Sequence, residues 1–537
     1  MIETLTTALS RTTTGDWLLL AAGFLLVFYI AGTWNYDYFQ RRGIPSTKPK
    51  FPFFGDFVAV MTGFRAFTDA IQDFYDKGKG HGVFGVFEIT RPILWIRDPE
   101  LLKVVGVKEF DNFMNHRSFA SVKTDPIFGK NLFNLKDQAW RDMRATLSPA
   151  FTTSKIKAML PLMSQCADQF SQYLREKYVS SKEGSMKKPL VFDLKDLFTR
   201  LTNDIIATTA FGVSCDSLKN PNNEFYTRGK TLTTFSRLRS LLFFAFLTVP
   251  KLMEKTGFRL LDAESTNFFN SLVHDTIKER QKRGIIRPDV LQLLMQARQG
   301  KLKAEKEDSA EAENLGVSGK ILSDDDISAQ AIIFFFGGFE TVATALCFTT
   351  VVLSHHPEIQ KKLHVEIDEV MKTTGGTPTY EAIQGMKYLD AVISEVLRLY
   401  PPAPSTDRIC QNDVVLPAGE NSNAITIPKG TIVQAPIVGF HTDPQYWDEP
   451  LKFDPERFSD ENKHKIKPFT YMPFGMGPRI CIGQRFALIE VKMALVHLLH
   501  SFDLHPSAKT KFPIEYQTGA NLLAKGGFWC GLTPRRV

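Results

Sequence analysis

The distribution of apolar and charged positions separates a short N-terminal segment from a long and mostly helical body. Residues 17–34 carry no charge and are predominantly apolar, which is long enough for one helix across a bilayer. Arg41 and Arg42 follow this run, so the positive-inside rule places the rest of the chain in the cytosol. A signal peptide has a shorter apolar core. We therefore expect a single-pass anchor, with a buried helix of a soluble protein as the alternative.

The body shows helical and strand-like patterns that predict a mainly α fold with small β-sheets. Apolar residues recur at helical spacing over residues 67–75, most of 98–303 and 388–400, and residues 83–89 and 93–96 are predicted as strands. A long helix at about residues 323–354 is apolar on nearly all faces and is expected to be buried. Residues 425–428 and 431–435 predict a hairpin around Lys429 and Gly430. The charged stretch 301–320 predicts a surface loop.

We divide the chain into a lumenal N-terminus (1–16), a transmembrane anchor (17–34), a basic and proline-rich hinge (35–55) and one cytosolic domain (56–537). A large core is feasible, because 43% of the residues are hydrophobic and 44 are phenylalanine. The net charge of +7 is spread along the chain, so no nucleic acid partner is expected. Six cysteines are scattered without a paired spacing, which is typical of a reduced, cytosol-facing protein.

One glycine-rich decapeptide, which begins at Phe474 and contains Cys481, indicates specific chemistry. A helix is predicted directly after it, and backbone N–H groups and the positive end of the helix dipole can hold the Cys481 thiol as a thiolate. A lone thiolate is a poor zinc site, because zinc takes three or four protein ligands. It suits the axial position of a haem iron, and glycines allow close approach of the backbone to a flat macrocycle. The alternative is a structural cysteine in a turn.

This segment resembles the haem-binding loop of the cytochrome P450 family at its defining positions, which are Phe474, Gly477, Arg479, Cys481 and Gly483. The resemblance extends from the anchor to the C-terminus, and between the motifs the chain looks most like the insect xenobiotic-metabolising branch. It implies the P450 fold as one large haem domain. It also implies haem b (iron protoporphyrin IX) as the cofactor, with Cys481 as the axial iron ligand.

The predicted long helix contains Gly337, Gly338, Glu340 and Thr341. Each glycine weakens a buried helix by roughly 1 kcal/mol relative to alanine, and a helix that crosses a haem benefits because missing side chains leave room for dioxygen. The segment resembles the family's oxygen-activation motif, which implies Glu340 and Thr341 as catalytic residues that deliver protons. Close contact between helices through small residues is the alternative.

The resemblance also implies a structural ionic network and a set of cofactor contacts. Glu395 and Arg398, three residues apart on a predicted helix, resemble the family's Glu-x-x-Arg motif, with Arg457 as the third member of the network. Haem carries two propionates, which need cations or donors when buried. The implied cofactor-binding residues are Cys481, Trp140, Arg144, Arg408, Arg479, His116, Phe474 and Gly475, although a lone histidine such as His116 is often merely structural.

By resemblance, the substrate pocket is lined by residues near 121–133, 237–246, 333–339, 403–405 and 521–525. The pocket candidates are Phe128, Phe334, Phe336, Gly337 and Ala403. These residues are apolar or small, so a lipophilic substrate held by shape and stacking is expected. The sequence does not identify that substrate.

The implied activity is that of a microsomal monooxygenase of the endoplasmic reticulum, which inserts one oxygen atom of O2 into a lipophilic substrate during xenobiotic or endogenous lipid metabolism. Electrons would come from NADPH through the flavin-containing NADPH–cytochrome P450 reductase, with cytochrome b5 as a possible second donor, because no flavin or nicotinamide motif is present. Two alternatives remain open. One is a haem-thiolate isomerase or dehydratase that works without a reductase, and the other is a non-catalytic, membrane-anchored protein that binds haem or lipophilic ligands.

Overall fold

The computed structural model describes residues 13–49, 51–234, 236–299, 321–419, 421–519 and 522–535. The predicted loop at 301–320 and most of the predicted lumenal segment lie outside these residues. The α-helices comprise Thr14–Thr33, Val58–Met61, Phe67–Lys77, Pro99–Lys103, Asp137–Leu147, Thr153–Val179, Lys182–Ser185, Leu194–Ile206, Glu224–Thr233, Arg237–Thr248, Pro250–Thr256, Ala263–Arg283, Val290–Arg298, Asp324–Ser354, Pro357–Thr373, Tyr380–Gly385, Lys387–Leu399, Ile437–Thr442 and Gln484–Ser501. The strands are β1 (Val83–Glu88), β2 (Arg91–Ile96), β3 (Leu190–Asp193), β4 (Thr406–Ile409), β5 (Val414–Leu416), β6 (Ile425–Ile427), β7 (Ile432–Ala435), β8 (Phe502–Pro506) and β9 (Trp529–Pro534). The mainly α fold with small sheets is confirmed.

The first helix, Thr14–Thr33, projects its apolar side chains outward. It begins with a capping box between Thr13 and Asp16, and Gly32 is its one buried residue. The helix is long and apolar enough to span a membrane. Only 6% of its most apolar stretch is buried inside the protein. Exposed leucine and phenylalanine along a helix favour an apolar surrounding, so these features are consistent with a membrane anchor.

The long helix predicted from the sequence runs over Asp324–Ser354 and forms the centre of the fold. Ser323 caps the helix, because its side chain accepts from the backbone N–H of Asp326. The backbone N–H of Ser323 in turn donates to the Asp326 carboxylate. This helix is also long and apolar enough to span a membrane, but 61% of its most apolar stretch is buried inside the protein. It packs against helices Leu194–Ile206, Ala263–Arg283 and Gln484–Ser501. This central helix is therefore a core helix.

The larger sheet has the strand order β1-β2-β7-β4 and lies beside the helical core. β2 pairs with β7 in parallel, and β4 pairs with β7 in the antiparallel sense. Alternate residues of β2 divide between two clusters, because Leu94 packs with Val433 on one face and Ile93 packs with Ile432 on the other. The sheet thereby presents one face toward the helical part of the molecule.

The predicted hairpin around Lys429 and Gly430 is wrong in its pairing, although the turn is present. β6 pairs with β5 in a separate two-stranded sheet, and β7 joins β2 and β4 instead. All four residues of β7 are buried, so a central place in the larger sheet satisfies more backbone groups than a two-stranded hairpin would. The alternation of apolar residues indicates a strand but not its partner.

The structural ionic network forms at the base of the core. The Arg398 guanidinium donates to both carboxylate oxygens of Glu395 at 2.7 and 2.8 Å, and both side chains are fully buried. Arg457 lies 3.5 Å from Glu395. Arg398 also donates to the carbonyls of His441 and Pro450, so this cation joins three separate chain segments.

Substitution of Arg398 by methionine is expected to destabilise the fold strongly. The change leaves the Glu395 carboxylate buried without its bidentate partner, which costs about 3–5 kcal/mol. A much lower midpoint of thermal unfolding by circular dichroism is the expected result. Lys157→Met is the matched control, because the Lys157–Glu381 pair is exposed and such pairs contribute about 0–1 kcal/mol. Equal midpoints for the two variants would contradict the structural role.

Candidate active site

A cavity of about 1150 Å³ lies between the central helix, the Cys481 loop and the larger sheet. All five predicted pocket segments contribute described residues to its wall. Those residues are Leu132, Phe133, Phe243, Phe244, Ile333, Phe334, Phe336, Gly337, Gly338, Ala403, Ser405, Leu522 and Leu523. The wall is mostly aromatic and aliphatic, so it favours a lipophilic ligand held by shape.

Cys481 lies at this cavity, at the end of a tightly folded loop. Its backbone N–H donates to the carbonyl of Phe474 at 2.9 Å, which closes the loop just before helix Gln484–Ser501. Gly477 has a φ of +64°, and a Cβ atom there would lie 1.9 Å from the carbonyl oxygen of Gly106. Only glycine fits this position. The loop therefore holds Cys481 in one place.

Opposing effects act on the pKa of the Cys481 thiol. Burial raises the pKa of this thiol, and the opposing effects of the Gly483 backbone N–H and of Arg144 do not offset it. A bound metal ion would favour the anionic form, because it deprotonates a coordinating thiol.

The two glycines of the central helix have different roles. A Cβ atom on Gly337 would meet no other atom within 4 Å, so this position leaves open space in the cavity. A Cβ atom on Gly338 would lie 2.3 Å from Cδ1 of Ile206 on the neighbouring helix. Gly338 is therefore required for close helix contact, which is the alternative weighed for this segment, whereas Gly337 fits the room expected for a small ligand.

Thr341 and Glu340 leave the central helix in different directions. The Thr341 hydroxyl donates to the carbonyl of Gly337 at 2.5 Å, and its side chain is exposed to the cavity. Glu340 forms an ion pair with Lys195 at 2.5 Å, and Lys195 also donates to the Thr344 hydroxyl at 3.1 Å. About a third of the Glu340 side chain is exposed. The Thr341 hydroxyl thus faces the cavity. The Glu340 carboxylate is held beside Lys195 and Thr344, which form the polar margin of the cavity.

Three arginines lie close together beside the Cys481 loop. Burial, Arg408 and Arg144 lower the pKa of Arg479 to about 8, and burial lowers the pKa of Arg408 to about 10. The Arg479 guanidinium stacks 4.1 Å from the Trp140 ring centre and donates to the carbonyls of Met114 and Leu135. Burial is the main cause at both arginines, and at Arg479 the neighbouring charges of Arg408 and Arg144 act in the same direction.

His116 connects this corner to a second set of charges. Its Nδ1 lies 3.0 Å from Asp407, and burial and Arg408 lower the pKa of its imidazole to about 4, so the ring is neutral near pH 7. Asp407 is also bound by Arg117 at 2.6 Å, and Arg117 bonds Glu88 at 2.6 Å. The carboxylate nearest the arginines is therefore engaged elsewhere, and the cluster is suited to an incoming anion.

Two predicted site residues do not line the cavity. Phe128 is fully buried and packs against Phe336, whose ring centre is 5.9 Å away, so it supports the wall from behind. Arg408 is buried beyond His116 and donates to the carbonyl of Met476. In contrast, His116, Trp140, Arg144, Phe474, Gly475 and Arg479 all line the cavity.

Other polar residues of the wall were not predicted. Lys195 and Thr233 meet Glu340 from helices that lie 145 and 107 residues away in the chain. Trp95 on β2 and Gln434 on β7 line the cavity on the side of the larger sheet, which we call the sheet wall. No local sequence pattern indicates these contacts, because each depends on packing between distant elements.

The residues present fit a flat, dianionic macrocycle bound through one thiolate. The cavity has a fixed thiol at Cys481, open space at Gly337 and an excess of buried guanidinium charge. Charge-assisted bonds from arginine to carboxylate are the strong class of hydrogen bond, so two carboxylates would balance the cluster. Haem has both features.

Comparisons with known proteins agree with this geometry. The cytochrome P450 family model matches residues 45–530. Cytochrome P450 9e2 of Blattella germanica is 47% identical over 97% of this chain and 98% of its own length. Probable cytochrome P450 9f2 of Drosophila melanogaster is 42% identical over 95% and 97%, and cytochrome P450 3A18 of Rattus norvegicus is 39% identical over 93% and 94%. The family predicted from the Cys481 loop is confirmed: the chain belongs to the cytochrome P450 family, whose members contain haem.

Proposed function

We propose that this protein is a membrane-anchored haem-thiolate monooxygenase that inserts one oxygen atom of O2 into a lipophilic substrate. The observation that carries the proposal is that the Cys481 thiol and the Thr341 hydroxyl line the same apolar cavity. One supplies a ligand for iron, and the other supplies an exchangeable proton next to the open space at Gly337. The retained Glu340–Thr341 pair also counts against an isomerase or dehydratase that needs no proton delivery.

Haem b would be held through its iron by Cys481. Its propionates would be held by the arginines beside the Cys481 loop. Arg144 and Arg479 line the cavity and are the direct donors, with Trp140 stacked on Arg479 to fix its direction. Arg408 acts from behind, since it bonds His116 and raises the local positive potential. When bound, the haem supplies the redox chemistry, and thiolate ligation favours O–O cleavage.

The proton path would start at Glu340 and end at Thr341. The Glu340 carboxylate is partly exposed and paired with Lys195, so it can exchange protons with water at the polar margin. The Thr341 hydroxyl proton is directed to the Gly337 carbonyl, which leaves its oxygen free to accept from the cavity side. Rotation away from Gly337 then allows this hydroxyl to donate toward the open space.

Electrons would reach the site from NADPH through the NADPH–cytochrome P450 reductase, with cytochrome b5 as a further donor. The anchor helix would hold the protein in the endoplasmic reticulum membrane with the catalytic domain in the cytosol. Basic residues near the Cys481 side, such as Arg141 and Lys463, are candidates for an acidic partner surface. They already pair with Asp111 and Asp460, so a partner would have to compete with these contacts.

The function is tested by reconstitution of the detergent-solubilised protein with the reductase and NADPH. The carbon monoxide difference spectrum of the reduced protein is recorded first, and NADPH consumption is then followed with lipophilic substrates. A thiolate-type spectrum with substrate-dependent consumption supports a monooxygenase. Haem without NADPH consumption would favour the isomerase, and a preparation without haem would favour a binding protein.

Cys481→Ser is expected to abolish the thiolate-type carbon monoxide spectrum, because serine offers no thiolate to the iron. The fold should persist, since the bond from the residue 481 backbone N–H to Phe474 is unchanged. Circular dichroism and membrane recovery serve as controls for folding and anchoring. A normal spectrum in this variant would remove Cys481 as the ligand.

Thr341→Ala is expected to retain haem but to release much more hydrogen peroxide per NADPH consumed. Loss of the hydroxyl removes the proton donor nearest the open space at Gly337, while the alanine fits the helix. Thr349→Ala is a matched control, because the Thr349 hydroxyl is buried and bonds the helix carbonyl of Ala345. Tight coupling in the Thr341 variant would mean that protons arrive by another route.

Arg479→Leu is expected to weaken haem retention. Removal of one charge-assisted bond to a carboxylate costs roughly 1.5–3 kcal/mol, or about tenfold to a hundredfold in affinity. Transfer of haem to an excess of apomyoglobin measures the loss directly. Arg141→Leu is the control, because Arg141 does not line the cavity and pairs with the exposed Asp111. Equal retention in both variants would contradict the assignment.

A further inference from the structure

The sheet wall of the cavity contains polar side chains that the proposed catalysis does not use. Trp95 on β2 and Gln434 on β7 are opposite each other in the parallel register, so both side chains project from the same face of the sheet. Ser405, which directly precedes β4, lies beside them. All three residues line the large cavity.

Two polar atoms in this group have no partner within the protein. Trp95 Nε1 and Gln434 Oε1 are buried and make no hydrogen bond, and the two residues are only 1% and 7% exposed. Gln434 Nε2 donates to Ser405 Oγ at 2.7 Å. In either orientation of the amide, one of its polar atoms bonds Ser405 and the other is left over. Buried polar groups usually have a partner, and because both residues line the cavity, a ligand there can supply the missing one.

Four polar and charged residues that also line the cavity are bonded to one another: Glu88, His116, Arg117 and Asp407. Arg117 bonds Glu88 and Asp407, each at 2.6 Å, and Asp407 also meets His116 at 3.0 Å. The two unpartnered atoms of the Trp95–Gln434 pair are an indole nitrogen and an amide oxygen, and neither belongs to a charged group. A neutral group that can donate and accept is therefore the matching partner.

The surroundings of the Trp95–Gln434 pair are apolar and rigid. The ring centres of Phe74 and Trp95 are 5.6 Å apart and the two rings are nearly perpendicular, a T-shaped contact that restrains the plane of the indole. Ile93, Ile71 and Phe244 line the adjoining wall. A polar group that reaches Trp95 must consequently be carried by an apolar body.

We infer that Trp95, Gln434 and Ser405 form a polar subsite that binds one neutral hydroxyl group of an otherwise lipophilic substrate. The substrate oxygen accepts from Trp95 Nε1–H, and its hydroxyl donates to Gln434 Oε1. A hydroxyl can both donate and accept, so it satisfies either orientation of the amide, whereas an ether serves only the indole. The inference rests on the proposed function, because that function makes this cavity the substrate site.

The test compares two ligands of matched shape, 2-naphthol and 2-methylnaphthalene, by equilibrium dialysis against the full-length detergent-solubilised protein. Trp95→Phe retains an aromatic ring but removes the N–H. It is expected to weaken 2-naphthol binding about tenfold, or ~1.4 kcal/mol, and to leave 2-methylnaphthalene unchanged. Ile93→Val is the control, because this lining residue offers no polar atom and its change should affect both ligands alike.

Gln434→Met provides a second, independent variant that keeps the length of the side chain, and it should show the same selective loss. Equal effects on both ligands, or no effect on either in both variants, would overturn the subsite. The carbon monoxide spectrum of each preparation separates this result from the proposed function, since dialysis needs no electron transfer. A thiolate-type spectrum without a preference for 2-naphthol rejects the subsite alone. A preference for 2-naphthol in a preparation without haem supports the subsite and rejects the monooxygenase.

Discussion

The architecture of the site depends on positive charge that the fold has removed from water without balancing it. Arg144, Arg408 and Arg479 converge beside the Cys481 loop, where burial and the charges of Arg408 and Arg144 lower the pKa of Arg479 to about 8. Under the proposed function, a ligand that brings two carboxylates would stabilise this cluster. Haem binding would then be linked to folding, because a ligand that binds only the folded state shifts the equilibrium toward it.

The Glu395–Arg398 pair shows the opposite arrangement. It is equally buried, but its charges are matched within the protein and its remaining donors reach the carbonyls of His441 and Pro450. This network is complete without a ligand, whereas the arginine corner is not. The contrast separates architecture from binding on physical grounds: a self-satisfied buried charge holds chain segments together, and an unbalanced one requires a partner from outside.

The sequence predicts the local features well and the long-range contacts poorly. The capped central helix, the apolar N-terminal helix and the position of Cys481 before a helix all follow from patterns within a few residues. The false hairpin arose because alternation identifies β7 as a strand but does not reveal β2 as its neighbour. Gly338 was interpreted as room for a ligand, since no local signal reveals the side chain of Ile206 beside it. Lys195 was missed for the same reason.

The distribution of unsatisfied groups around the cavity also bears on how it selects ligands. An apolar wall discriminates weakly, because one methylene changes binding by only about 1–3 kcal/mol, and many lipophilic molecules would enter. A buried donor and acceptor at Trp95 and Gln434 add a different kind of selectivity, since a ligand that leaves them unpaired forfeits their hydrogen bonds after displacing any water. The cavity would then accept many shapes but prefer those with one hydroxyl at the sheet wall. Breadth of substrate and a fixed orientation within the site are thus compatible in a single cavity.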